Sequence, residues 1–486
     1  MNLALDTYII PSVRIIYLFT VIALLFAPIA LAEGLPDLGD YAQSVLTPLQ
    51  EQRLGEEAMR DIRASNDLID DIEITDYISA LGYRLATNSP DNRQIFTFFV
   101  LSDPSINAFA LPGGFVGIHT GLIQNTRSES ELASVMSHEI GHVVQRHMAR
   151  MMAQQKQDRI PSLAMMAASL LLALGSPQLG QGALISTEAG LVQRSLSFSR
   201  ENEQEADRVG MQILDKTGFD TRAMPAFFET LLKNERFDGD APAFLRTHPL
   251  STERITDMRN RAEQTPYRQV PDSIEFSLVR AKLRATQGTP NDTVRYFEDS
   301  LHEKKYSDEV AQRYGLVVAL LRAHDLEQAQ QELDKVREMT PRHPMLESLE
   351  ANILIAQNKT QQALGLYSDA LKLFPKNRGL IYGNAETLLS LNKSQEALVF
   401  LEKGQQEYPD DDHLYVLQSQ AYTQQHKNLL RHRAQGEAYY RAYDLPGAIE
   451  QMELAVKAGD GDFYQLSIVE ARLKQLRQQL EDTKTK

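Results

Sequence analysis

The chain has 486 residues, 24% charged and 43% hydrophobic, which leaves room for two or three domains that each bury a core. Its formal net charge of −15 excludes a polyanion binder, because nucleic-acid affinity comes largely from Lys and Arg neutralising phosphates. There is no cysteine, so disulfides and thiolate metal sites are excluded, and any metal must be held by His, Asp or Glu.

At the N-terminus Arg14 precedes an apolar run from Ile15 to Leu31, and Ala30-Leu31-Ala32 supplies small residues in an A-x-A arrangement. That is the shape of a secretory signal peptide, residues 1–32, cleaved after Ala32. The alternative is an uncleaved anchor; the polar Glu33-Gly34-Leu35-Pro36-Asp37 that follows favours cleavage and export. Apolar spacing then predicts amphipathic helices over Gln50 to Ile62 and Leu68 to Leu85. The period changes at Gln94 to Leu101, which reads as a strand. An irregular Asp103–Gly114 connection leads to a second strand, Phe115 to His119, just after Gly113-Gly114.

Ser128, with Glu131 three residues later, opens a helix as a capping box. Leu132, Val135, Met136, Val143 and Val144 give that helix its apolar face. It carries His138-Glu139-Ile140-Gly141-His142. Histidines at i and i+4 share a face and converge on one ion, while Glu139 can reach a metal-bound water as general base. His147 is nine residues beyond His138, and at about 100° per residue it falls on the opposite face. It is read as a surface or packing histidine and not as a ligand. The apolar stretch Ser162 to Gly175 is short of the roughly 20 residues needed to cross a bilayer. It reads as a buried or interfacial helix, with peripheral membrane contact or a substrate cover as the other reading.

A catalytic zinc site needs a third protein ligand and an open position. Glu201, Glu203 and Glu205 are all placed for it, and residue types do not separate them. If Glu203 is chosen, Asp207 lies at i+4 and would hold a ligand histidine through its free N–H. Thr247-His248-Pro249-Leu250 follows, in a loop before a helix capped by Ser251. A lone histidine there raises the expectation that His248 approaches the metal and acts as a latch.

Pro266 and Pro271 mark the expected end of the first domain, so the division is 33–265 and 270–486. Beyond it Ala329, Ala363 and Ala397 recur at intervals of 34 (363 − 329 and 397 − 363), and Pro341, Pro375 and Pro409 recur in step. That period, with a small residue near the start of the second helix and Pro after it, is the tetratricopeptide pattern. Ala448 lies 51 residues past Ala397, which suggests an irregular join and about four units with flanking helices. Such an array offers a concave protein-binding surface.

The string from His138 to His147, Glu203-x-x-Ala206-Asp207 and Asn107-Ala108-Phe109-Ala110-Leu111-Pro112-Gly113-Gly114 together resemble the HtpX and CAAX-prenyl-protease family of zinc peptidases. With the signal peptide and repeat tail, nearly the whole mature chain is similar to its periplasmic BepA-type members. The resemblance implies a mainly α fold with a small β-sheet, a zincin-like (gluzincin) domain followed by a tetratricopeptide α-solenoid. It selects Glu203 as third ligand of one zinc ion per subunit, beside His138 and His142, with Glu139 catalytic. It favours pairing of an extended substrate with Gly114, Phe115 and Val116 as an exposed edge strand. It also implies a periplasmic role in outer-membrane protein quality control, with chaperone-like activity. Clients would be misfolded or stalled outer-membrane proteins, with outer-membrane assembly machinery docking on the repeats. The alternative is a non-proteolytic chaperone or scaffold with a latent metal site, against which the presence of Glu139 weighs.

Overall fold

The computed structural model describes residues 46–91, 93–155, 199–238 and 242–484. Residues 1–32, read above as a signal peptide, and the apolar stretch Ser162 to Gly175 lie outside them. Among the described residues, no helix is long and apolar enough to cross a membrane.

Helix α1 spans Pro48–Ala64, opened by a Thr47 capping box, and α2 spans Ile72–Ala86. The expected start of α2 at Leu68 is four residues early, because Leu68 forms an isolated bridge with Leu101 and Asp71 caps the helix. The sheet has three strands, β1 (Thr97–Leu101), β2 (Ala108–Leu111) and β3 (Phe115–His119), in the order β1-β3-β2. Two corrections follow. The Asp103–Gly114 connection contains a strand, β2, antiparallel to β3. And β3 is central, paired on one side with β1 in parallel and on the other with β2. Its backbone hydrogen bonds are therefore already used, so Phe115 and Val116 are not an edge open to substrate. Gly113 and Gly114 instead make the turn from β2 into β3, with φ of 78° and 87° that side-chain-bearing residues rarely adopt.

Short α3 (Thr120–Asn125) leads to α4 (Glu129–Val144), the helix of the two histidines. Ser128 Oγ accepts the Glu131 N–H at 3.2 Å, but the Glu131 carboxylate turns to the Arg127 N–H at 2.6 Å, so the capping box is only half made. Helices α5 (His147–Gln155), α6 (Arg200–Thr217), α7 (Ala223–Asp238), α8 (Ala243–Thr247) and α9 (Thr252–Glu263) complete this part.

Six helix pairs follow: α10 (Ile274–Ala285) and α11 (Pro290–His302), α12 (Glu309–Arg322) and α13 (Leu326–Met339), α14 (Pro344–Ala356) and α15 (Thr360–Leu373). Then come α16 (Arg378–Ser390) and α17 (Ser394–Glu407), α18 (Asp412–Gln424) and α19 (Asn428–Arg441), α20 (Leu445–Lys457) and α21 (Phe463–Lys484). Ala329, Ala363 and Ala397 are fully buried where paired helices meet. The irregular join expected before Ala448 is present. His324, Asn358, Asn392 and His426, 34 residues apart, all take positive φ between the two helices of a pair, but Tyr443, only 17 residues past His426, takes the same conformation between α19 and α20, which shifts the phase by half a period. Ala448 is the fourth residue of α20, as Ala329, Ala363 and Ala397 are of α13, α15 and α17, and Arg431 holds that position in α19.

One hydrophobic core runs without interruption from Ile74 on α2 to Ile353 on α14. Polar ties cross between the two parts as well. Lys282 reaches Asp71 and Glu73, each at 2.6 Å, and Arg378 bridges Asp76 and Asp411, each at 2.8 Å.

Candidate metal centre

Helices α4 and α6 cross at two glycines, and that crossing builds the site. A Cβ on Gly141 would lie 3.0 Å from the Ala206 carbonyl oxygen, and one on Gly210 would lie 3.1 Å from the His138 nitrogen. Glycine at both positions lets the two backbones approach this closely without either helix giving way. It brings Glu203 and Asp207 of α6 over His138 and His142, all four at most 2% exposed. Of the three carboxylates that residue types left unresolved, Glu203 alone is buried against the histidines; Glu201 is exposed and Glu205 turns to His147.

His138 Nε2 and His142 Nε2 are 3.0 Å apart, and each is 3.5 Å from a Glu203 oxygen. His248 enters from the loop after α8, its Nδ1 3.0 Å from Glu203 Oε1. One donor atom from each of His138, His142, Glu203 and His248 lies within 4.8 Å of the others. A tetrahedral ion with bonds of about 2.0–2.1 Å has ligand–ligand edges of roughly 3.3 Å, so spacings of this size fit a small cation. The ring of His138 is flanked by Phe228 and Phe244, with centroids at 5.9 and 6.0 Å, and Phe244 stacks on His248 at 4.5 Å.

Glu139 is completely buried, with His248 Nε2 3.5 Å from its Oε1. Burial raises its pKa above the usual carboxylate value, although the charges of His248 and His138 oppose the rise. Glu203 is also desolvated, yet His248, His138 and His142 outweigh that and hold it well below the ordinary range. For His138 burial works against the cation, but Asp207 and Glu203 prevail and move it up to about 9. Burial drives His142 well below the ordinary histidine value. Two neighbouring carboxylates are thus pushed in opposite directions, one towards carrying a proton and one towards keeping its charge.

Two residues whose part was not read from sequence complete the site. Arg254, on α9 and 1% exposed, grips Asp207 with Nε at 2.7 Å and Nη2 at 2.8 Å, and its Nη1 lies 2.7 Å from Glu203. Its position three residues after the Ser251 cap was the available signal. His147 is wholly buried, 2.8 Å from His142, and bonded to Glu205 at 3.1 Å, so of its two readings the surface one is overturned and the packing one stands. The helical rotation does not apply to it. Helix α4 ends at Val144, and Arg146 turns the chain at φ 52°, held by Glu51 and the Leu46 carbonyl. Its exclusion from the four-donor cluster stands.

The model of peptidase family M48 matches residues 75–262, and that of the tetratricopeptide repeat matches residues 354–421. The beta-barrel assembly-enhancing protease of Escherichia coli (strain K12) is 36% identical over 451 residues, 92% of each chain. This chain belongs to peptidase family M48. A putative beta-barrel assembly-enhancing protease of Vibrio cholerae is 45% identical over 251 residues, 52% of each chain. The mitochondrial metalloendopeptidase OMA1 of Arabidopsis thaliana is 30% identical over 220 residues, 45% of this chain and 42% of the relative. As an M48 peptidase the chain is a metalloendopeptidase with a metal cofactor, joined to tetratricopeptide repeats.

Proposed function

We propose that this chain is a periplasmic zinc endopeptidase that acts on outer-membrane β-barrel proteins during their assembly. One observation carries the enzymatic reading: four buried donors within 4.8 Å of one another, beside a buried Glu139 whose pKa is raised. His138, His142 and Glu203 would hold the ion, and a set of two imidazoles and one carboxylate favours zinc. When bound, the ion supplies a Lewis acid that polarises the scissile carbonyl and acidifies water.

The chain's own groups do the rest. Glu139 takes the proton of the attacking water and delivers it to the leaving amine, a role its raised pKa suits. Asp207 faces His138 Nδ1 at 3.0 Å and orients that ring, while Arg254 holds Asp207 and Glu203 in place. His248, within reach of both Glu139 and Glu203, acts as a latch that shuts out water until it swings aside. Strand β2, at the sheet edge beside α4, replaces β3 as the strand for substrate pairing; its Ala110 N–H faces Glu139.

The outer-membrane assignment rests on the printed names of relatives that match 92% of this chain, and export rests on the N-terminal segment. A cavity of about 910 Å³ between α2 and the repeats, lined by Tyr83, Phe98, Arg378, Tyr408 and Tyr443, supports client or assembly-factor binding there. That surface also supports a holding, chaperone-like activity separate from cleavage.

The test uses the chain from residue 33 and an unfolded β-barrel outer-membrane protein. Zinc-dependent cleavage that Glu139→Gln reduces by about 10²–10⁴-fold supports the reading. A Glu139→Gln enzyme that cleaves normally refutes it. His248→Ala should raise the rate; an unchanged rate refutes the latch.

A further inference from the structure

The two histidines of α4 differ in what holds the ring nitrogen turned away from the donor cluster. His138 presents Nδ1 to Asp207, a carboxylate locked by Arg254. His142 presents Nδ1 to another imidazole, the Nδ1 of His147 at 2.8 Å. His147 in turn presents Nε2 to Glu205 at 3.1 Å, and Glu205 accepts from Arg150 at 2.5 Å.

Proton counting gives this chain a single consistent arrangement once a cation is bound. An imidazole that offers its Nε2 lone pair to a metal carries its proton on Nδ1. The Nδ1–H of His142 then donates, so Nδ1 of His147 has to accept. A neutral imidazole that accepts at Nδ1 carries its proton at Nε2, and that proton points at Glu205.

The choice of an imidazole in place of a carboxylate has a physical reason. Glu139, Glu203 and Asp207 already put three carboxyl groups in the buried site. A fourth in contact with His142 would add repulsion where nothing solvates it. A neutral histidine carries the same orienting bond outward to Glu205, whose side chain is 28% exposed and partnered by Arg150.

We propose that His147, backed by Glu205 and Arg150, is a positioning residue that fixes the ring plane and the Nδ1–H tautomer of His142 for metal binding. This rests on the ligand set of the proposed function. Such outer partners commonly contribute 10–100-fold in metal affinity.

The experiment measures zinc affinity of the full chain by competition with a chromogenic chelator, beside thermal melting of the metal-free protein. His147→Leu should weaken zinc binding by about 10–100-fold. His147→Asn, whose Oδ1 stands where Nδ1 accepts, should recover most of that loss, although it packs no better than leucine. Glu205→Ala, at a partly solvated position, should weaken zinc several-fold and keeps the question decidable if His147→Leu does not fold. Equal losses of zinc affinity in the Leu and Asn variants, matched by equal falls in metal-free melting temperature, would make His147 purely structural and overturn the proposal. His142→Ala separates the two readings. If it leaves zinc affinity unchanged, the ligand set is wrong and this inference falls with it. If it abolishes tight binding while His147→Leu and Glu205→Ala bind as wild type, only the inference fails.

Discussion

Replacing Arg254 with Met tests how the site is held together. The side chain is 1% exposed and satisfies three acceptors: both oxygens of Asp207 at 2.7 and 2.8 Å, and the Pro249 carbonyl at 2.7 Å. Its Nη1 also lies 2.7 Å from Glu203. Methionine preserves much of the volume and removes every one of these bonds. Asp207 would then be a buried carboxylate facing only His138, and Glu203 would depend on the histidines. Breaking a buried ion pair by removing one partner costs about 3–5 kcal/mol, because the charge left behind keeps its desolvation penalty. At roughly 2–4 °C per kcal/mol, metal-free protein should melt at least about 6 °C lower. Arg254→Lys should recover little, since one ammonium cannot span Asp207 and Glu203 as a fork. Adding Asp207→Asn should restore part of the loss, because the orphaned charge is gone. Differential scanning calorimetry of the four proteins decides it. A fall below about 2 °C for Arg254→Met, or strictly additive losses in the double variant, would refute the account.

Three further outcomes are expected. Gly210→Ala places a Cβ 2.9 Å from Met224 Cε and 3.1 Å from the His138 nitrogen, so overpacking of about 1–3 kcal/mol should outweigh the helix-propensity gain of about 1 kcal/mol; urea titration and zinc affinity should both worsen. Asp103 has its pKa lowered by His119 and by Ser105, so its contribution to stability is present above the unfolded value of about 3.9 and is lost as pH falls. Asp103→Asn should therefore lower the melting temperature above about pH 5, where that contribution is present, and flatten its fall on the acid side. Stripping zinc with a chelator should lower stability by about 2.7 kcal/mol relative to protein at 100-fold excess over its Kd, seen as a zinc-dependent melting temperature.

How far the sequence reached depends on whether the decisive contact is local. His138, Glu139 and His142 were legible because helical spacing alone puts the two histidines on one face. Glu203 was not separable from Glu201 and Glu205 by residue type, since burial against α4 is set by the glycine crossing and only family resemblance selected it. Strand β2 was missed because four residues ahead of Pro112 carry too little periodicity, and their pairing belongs to β3. His147 was misplaced because the break at Arg146 has neither Gly nor Pro and is held by Glu51, 95 residues away. The half-period join, by contrast, was legible in the sequence: Ala448 lies one and a half periods past Ala397, and Tyr443 repeats the turn of His426 after 17 residues.

The shared core sets a clock on maturation. Helix α2 packs on α10 and, through Ile72, on the cluster of Ile381 in α16, so its apolar face cannot be covered fully until α16 has been made. At synthesis rates of about 5–20 residues per second, the intervening residues take on the order of 15–60 s. During that interval the HExxH helix exists without its finished scaffold, and the peptidase gains a complete core only together with the repeats.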